Sequence, residues 1–241
     1  IYIINFELKY NILLLIIYYI MKRIGVFIGT RPELIKCTPL LNSSDMYIPI
    51  FVLQHQDILD ISDNKDHYII SITDFGNNRL NNIMMSIMNS NIMDIVWDAI
   101  LVQGDTAVAF AGAIAAFHRK IKIIHLEAGL RTYDLNNPWP EEGYRKMIDS
   151  ISNIALCPSA LSSQNLINEK FSGDIKIVGN TSIDAIKHYN LIPKIGNTVI
   201  ITLHRRENWD KIELFFEKIS HLYRFYFDGF LQERNCSQYC R

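Results

Sequence analysis

Short apolar runs alternate with helix-length segments of mixed polarity along most of this chain. Ile24–Ile28 is the first run. Ile48–Leu53, Ala99–Gln103, Ile121–His125, Ile154–Cys157 and Ile175–Val178 follow, each short enough for a buried strand. Between them, 81–93, 107–118, 141–151, 159–171 and 181–189 carry helical spacing, the last capped by Asn180 or Thr181. The methionines of 81–93 read as core filler, and the alanines of 107–118 suit close packing on a sheet. Residues 60–80 read as polar and irregular. Strand–helix alternation predicts an α/β fold, a Rossmann-like parallel sheet with helices on both faces. Thr198–Leu203 reads as a further strand, and Glu213–Tyr223 as an amphipathic helix.

Polar residues gather just after the strand runs: Arg31, Asp105, Glu127 and His204. Ligands of open parallel sheets bind at the carboxyl ends of the strands, so these positions are site candidates. The segment Gly29-Thr30-Arg31-Pro32-Glu33 turns a strand into a helix. Backbone N–H groups, Arg31 and Lys36 would then converge where a phosphate could sit. The segment is neither a Walker loop nor a Gly-x-Gly-x-x-Gly turn. Asp105 reads as a site carboxylate or a helix N-cap. Glu127 reads as a site carboxylate or the partner of Arg131 one turn on, and Glu141 as a site carboxylate or a complement to a helix dipole. Carboxylates crowded at strand ends suit general acid/base chemistry, and the cations Arg31, Lys36, Arg131, Arg145 and His204-Arg205-Arg206 suit an anionic diphosphate substrate.

Composition narrows the field. The chain has 241 residues, 49% of them hydrophobic, enough for one large domain and part of another. A net charge of −1 gives no electrostatic footprint for nucleic acid. The four cysteines are scattered, which sets aside a zinc site and makes a reducing, cytoplasmic setting the default. The apolar run Ile12–Ile20 is short for a membrane span, and Met21 precedes the first strand. Residues 1–20 are therefore expected to be spurious upstream sequence read in frame, with a membrane anchor as the other reading.

Six motifs occur in order: Ile28-Gly-Thr-Arg-Pro-Glu33, Gln103-Gly-Asp-Thr106, His125-Leu-Glu-Ala-Gly-Leu-Arg-Thr132, Pro138-Trp-Pro-Glu-Glu142, Gly179-Asn-Thr181 with Asp184, and His204-Arg-Arg-Glu-Asn208. Together they resemble the bacterial-type, non-hydrolysing UDP-N-acetylglucosamine 2-epimerases over about residues 22–215, most thinly over 57–98. The resemblance implies a glycosyltransferase-B-like fold of two Rossmann-like domains with the site in their cleft, and interconversion of UDP-GlcNAc and UDP-ManNAc through 2-acetamidoglucal and UDP. It implies acid/base roles for Asp105, Glu127 and Glu141, with Arg31, Lys36 and His204 holding the diphosphate or helping UDP depart. Arg131 and Arg145 complete the expected substrate-binding set. Gln54 and His55 match a motif of members with an allosteric second UDP-GlcNAc site. The resemblance implies no cofactor, a UDP-sugar as partner and a homodimer as the usual assembly.

Against that pattern, Tyr144 stands where the family usually has Asn before Arg145. The expected organisation is a Rossmann-like domain over 21–190, then a linker and the start of a truncated second domain over 191–224. An irregular tail, out of frame, is expected over 225–241. The Ser-Gly-Gly…Glu-Glu region that grips the nucleotide in the family is absent. Four outcomes stay open: an epimerase completed by a separate chain carrying the C-terminal half, a non-catalytic remnant, a hydrolysing relative, or a 2-epimerase for a 6-deoxy UDP-sugar; against a fifth, a glycosyltransferase of the same fold, stands the Glu127-to-Glu141 carboxylate set.

Overall fold

The computed structural model describes residues 23–53, 66–76, 78–189, 192, 196 and 212–222. Seven strands form one all-parallel sheet: β1 (Ile24–Ile28), β2 (Tyr47–Leu53), β3 (Tyr68–Ser71), β4 (Ala99–Gln103), β5 (Lys122–Leu126), β6 (Ile154–Cys157) and β7 (Asp174–Ile177), in the order β3-β2-β1-β4-β5-β6-β7. The helices between them are α1 (Arg31–Leu41), α2 (Arg79–Met88), α3 (Ala107–His118), α4 (Glu141–Ile151), α5 (Ala160–Asn168) and α6 (Thr181–His188). The order reverses between β1 and β4, which makes that crevice the topological switch point.

Alternation along the strands sorts two cores. Phe27, Ile50, Val52, Ile100, Val102 and Ile123 pack with α2, α3 and α4 on one face. Val26, Ile28, Phe51, Leu53, Leu101 and Leu126 meet Cys37 and Leu41 of α1 on the other. Helix α3 lies close against the sheet because its inner face is small: Ala109, Ala111, Ala113, Ala115 and Ala116 are fully buried, and a Cβ on Gly112 would sit 2.9 Å from the Phe27 ring. Tyr144 belongs to this core, stacking on Phe110 with ring centroids 4.8 Å apart.

The segment expected to be irregular over 60–80 contains β3. Only one of its four residues, Ile70, is buried, so this edge strand lacks the apolar run that marks the others. Its following loop is pinned by α2, where Asn82 receives the Phe75 N–H at 2.9 Å and donates to Asp74 and Gly76, and Ser86 receives the Thr73 N–H. The helical stretch expected over 81–93 divides into α2 and a 3₁₀ turn at Asn91–Asp94. Asn180, not Thr181, caps α6. Helix α7 (Ile212–Leu222) belongs to a second compact unit that starts at Pro193. The expectations for 1–20, the Thr198–Leu203 strand and the 225–241 tail lie outside the described residues. Among the described residues no helix is long and apolar enough to cross a membrane.

Candidate functional site

Three turns meet at the carboxyl ends of β1, β4 and β5. After β1, Thr30 caps α1, its hydroxyl accepting the Glu33 N–H. Glu33 folds back, fully buried, to accept the Gly29 N–H at 2.9 Å and the Thr30 hydroxyl at 2.8 Å. Its other oxygen accepts the Thr106 hydroxyl at 2.6 Å, tying the β1 turn to the β4 turn. Burial pushes the Glu33 carboxyl above its ordinary range, against the pull of those donors. The turn was expected to offer free N–H groups to a phosphate. Instead the N–H groups of Gly29 and Glu33 are taken up inside the protein, because a buried carboxylate already answers the positive helix end. What the turn presents outward is Arg31, exposed and without an ion pair to any described residue.

After β4, Thr106 caps α3 by accepting the Ala109 N–H, so the N-cap reading of Asp105 does not hold. Asp105 is instead paired with Arg145 of α4 at 2.5 Å, and Arg145 also reaches Glu142 at 3.2 Å. Glu142 is fully buried and accepts the Tyr133 N–H. Burial acts to raise its carboxyl, but the Thr132 and Tyr133 N–H groups and Arg145 bring it below the ordinary range.

After β5, Glu127 occupies the left-handed region with φ of +71°, a conformation that costs a non-glycine residue roughly 1–2 kcal/mol and commonly marks a functional turn. Its carboxylate accepts Lys36 Nζ at 2.6 Å and the Gln103 amide. Residues from the ends of β4 and β5 and from α1 therefore converge on one oxygen. The expected alternative, a Glu127–Arg131 pair, is not formed. Arg131 turns inward, its side chain shielded from solvent, with a two-pronged contact to Glu169 (2.9 and 2.7 Å) and a third bond to Asp149 (2.8 Å). Burial opposes its charge, but these two carboxylates raise its basicity further.

Glu141 opens α4 and makes no hydrogen bond or ion pair with another described residue. With Glu142 it complements the positive end of the helix. Gln54, His55 and His204 lie outside the described residues. Glu33, Gln103, Glu142 and the pair His125–Asp149 were not among the expected site residues. The signal for Glu33 was there: Thr30-Arg31-Pro32-Glu33 has the spacing of a capping box. His125 and Asp149 carried no local signal, since they meet only through tertiary packing. Cys37 and Cys157 are free and buried, and burial raises both thiols, that of Cys157 to about 11, which makes them poor nucleophiles. A depression of about 550 Å³ lined by Trp97, Asp98, Arg119 and Lys122 lies at the opposite, amino ends of β4 and β5, away from these groups.

A parallel doubly wound sheet with cations and carboxylates gathered at its switch point defines a Rossmann-like class of protein. Comparison with known proteins narrows the class. A family model described as UDP-N-acetylglucosamine 2-epimerase matches residues 45–226, and the chain belongs to that family. It is 38% identical to the UDP-N-acetylglucosamine 2-epimerase of Campylobacter jejuni, across 78% of this chain and 58% of that protein. The Bacillus subtilis (strain 168) enzyme of the same name is 33% identical across 78% of this chain and 56% of its own length. Among solved structures, the UDP-GlcNAc 2-epimerase from Neisseria meningitidis bound to UDP-GlcNAc superposes with a TM-score of 0.71 at 32% identity, covering 85% of this chain and 64% of that one. The Methanocaldococcus jannaschii enzyme in complex with UDP-GlcNAc and UDP gives a TM-score of 0.66 at 28% identity, over 84% and 64%. The chain thus spans somewhat more than half the length of the curated relatives it matches.

Proposed function

We propose that this chain carries the acid/base groups of a UDP-N-acetylglucosamine 2-epimerase. The observation that carries the reading is the convergence of Lys36 and Gln103 on Glu127, beside an Asp105–Arg145 pair, at the strand-order switch of a family member's sheet. In the proposed reaction the C1–O bond to UDP breaks as a carboxylate takes the C2 proton. A C1=C2 double bond forms, leaving 2-acetamidoglucal and UDP. Re-addition of UDP at C1, with a proton delivered to the opposite face of C2, completes the inversion. Departure of UDP acidifies the C2–H, so the site must stabilise the diphosphate as it leaves. It also needs a group on each face of C2, one accepting and one donating the proton.

Asp105, Glu127 and Glu141 are the candidates for proton transfer. Arg31 and Lys36 are the candidates for the diphosphate, with His204 assisting departure. Lys36 is held by Glu127, so a diphosphate bound by Lys36 would draw on the cation that pairs with Glu127. The inward turn of Arg131 supports a role in holding the Gly129–Thr132 loop that follows Glu127, and Arg145 holds Asp105 by a direct ion pair.

The test is product analysis. The chain, alone and mixed with a polypeptide carrying the Ser-Gly-Gly…Glu-Glu region of a relative, is incubated with UDP-GlcNAc and with its 6-deoxy counterpart. UDP-ManNAc as the product supports the reading. Free ManNAc would indicate hydrolysis, and preference for the 6-deoxy sugar would reassign the substrate. No product in any mixture would leave a non-catalytic member of the family.

A further inference from the structure

One buried cluster lies behind the candidate site and takes no part in the proposed chemistry. His125, on β5 two residues before Glu127, is fully buried, and both its ring nitrogens face acceptors. Nε2 lies 2.8 Å from the Gly104 carbonyl, and Nδ1 lies 2.6 Å from Asp149 of α4. A carbonyl only accepts, so Nε2 carries a hydrogen. Asp149 also takes Arg131 at 2.8 Å and the Gly129 N–H at 3.3 Å. Burial acts to raise the Asp149 carboxyl, but His125 and Arg131 hold it below the ordinary range. The ring is thus held at both nitrogens, by a carboxylate on one side and a carbonyl on the other. Arg131 extends the cluster by bridging Asp149 and Glu169.

The geography of this cluster is what gives it meaning. Gly104 directly precedes Asp105, and its φ of +68° together with its N–H bond to Leu126 O fixes the turn from which Asp105 projects. Gly129 and Arg131 close the loop that begins with Glu127. Asp149 lies eight residues along α4 from Glu141, on the helix that also brings Arg145 to Asp105. Two turns, those of Asp105 and Glu127, are thus bonded to one His–Asp pair whose Asp belongs to the helix of Glu141.

We propose that the buried His125–Asp149 pair is a positioning device that holds the turns of Asp105 and Glu127 and the helix of Glu141 in mutual register. Its catalytic meaning rests on the epimerase reading; its structural content does not. The pair touches none of the reacting groups and acts through Gly104 O, Gly129 N and the axis of α4. Misplacement of a reacting group by an ångström can cost about a hundredfold in rate without weakening substrate binding.

The test begins with the unliganded, isotope-labelled chain. Nuclear magnetic resonance is expected to show a slowly exchanging Nε2–H on His125 and a coupling across its hydrogen bond to the Gly104 carbonyl. Asp149→Asn and His125→Gln, both close in shape, are expected to shift the Gly104, Asp105 and Gly129 resonances while leaving those of β1 and β2 in place. Where the wild-type chain turns over UDP-GlcNAc, both variants are expected to lose about a hundredfold in kcat with KM little changed. A missing coupling to Gly104, or folded variants with wild-type kcat, would each overturn the proposal. A wild-type chain without turnover would count against the epimerase reading alone, and the resonances would still decide this one.

Discussion

Glu33 offers the sharpest stability prediction, because its hydrogen bonds and its charge pull in opposite directions. The buried carboxylate receives three donors, Gly29 N–H, Thr30 Oγ1 and Thr106 Oγ1, at 2.9, 2.8 and 2.6 Å. Truncation by Glu33→Ala strands all three and opens a void where the fully buried side chain stood. At about 1 kcal/mol per lost bond, with the cavity adding roughly another, the expected cost is about 4 kcal/mol. Glu33→Gln behaves differently. One amide oxygen can still accept from Gly29 and Thr30, and the Thr106 hydroxyl can turn to accept from the amide nitrogen. The unfavourable burial of a charge also disappears. The expected cost is about 1 kcal/mol or less. Urea unfolding followed by circular dichroism measures both. For a unit of this size a 4 kcal/mol loss lowers the melting temperature by on the order of 10 °C. A Gln variant as damaged as the Ala variant would show that the charge itself holds the two turns together, and an Ala variant within about 0.5 kcal/mol of wild type would show that the clasp contributes nothing.

Other expectations follow from the same packing and charges. Glu33 and Asp149 shift in opposite directions, so their contributions to acid stability oppose one another. The raised carboxyl of Glu33 contributes stability that is full below its ordinary value of 4.5 and lost as pH rises through its folded value, and the lowered carboxyl of Asp149 contributes stability that is lost as pH falls from 3.8 through its folded value. Unfolding measured across this range should show Glu33→Gln removing the first slope and Asp149→Asn the second. Gly129→Ala puts a Cβ 2.2 Å from Ser162 O at a φ of +79° and should cost about 3 kcal/mol or more by denaturant melt, whereas Gly179→Ala, with a φ of +83° but nothing within 4 Å, should cost only about 1 kcal/mol. Arg131→Met leaves Asp149 and Glu169 without their shared cation and should destabilise by about 3 kcal/mol, measurable by the same melt.

The sheet was legible wherever a strand is buried on both faces. β1, β2 and β4 are nearly continuous apolar runs, and the Ala-rich α3 announced its close packing. β3 was not legible, because an edge strand with one buried residue lacks that pattern. The carboxylates were visible because they follow strand ends, but their partners were not. Neither the Lys36–Glu127 bond nor the Arg145–Asp105 bond has a local signature, since 91 and 40 positions separate the partners. Local spacing misled where it offered a nearer partner. Arg131 sits one turn from Glu127 in sequence, yet the left-handed turn at Glu127 and the bend at Gly129 send the two side chains to different places. Tyr144, where the resemblance leads one to expect Asn, stacks on Phe110 within the core.

The central claim is proton exchange at C2 by carboxylates at the switch point. The most direct measurement is deuterium incorporation at C2 of UDP-GlcNAc in D2O, followed by mass spectrometry, for the wild-type chain and for Asp105→Asn and Glu127→Gln, each with the complementing polypeptide present. The account predicts exchange by the wild type and a loss of two orders of magnitude or more, roughly, in each variant, with folding intact. Exchange at wild-type rates in both folded variants, or none by the complemented wild type, would contradict it.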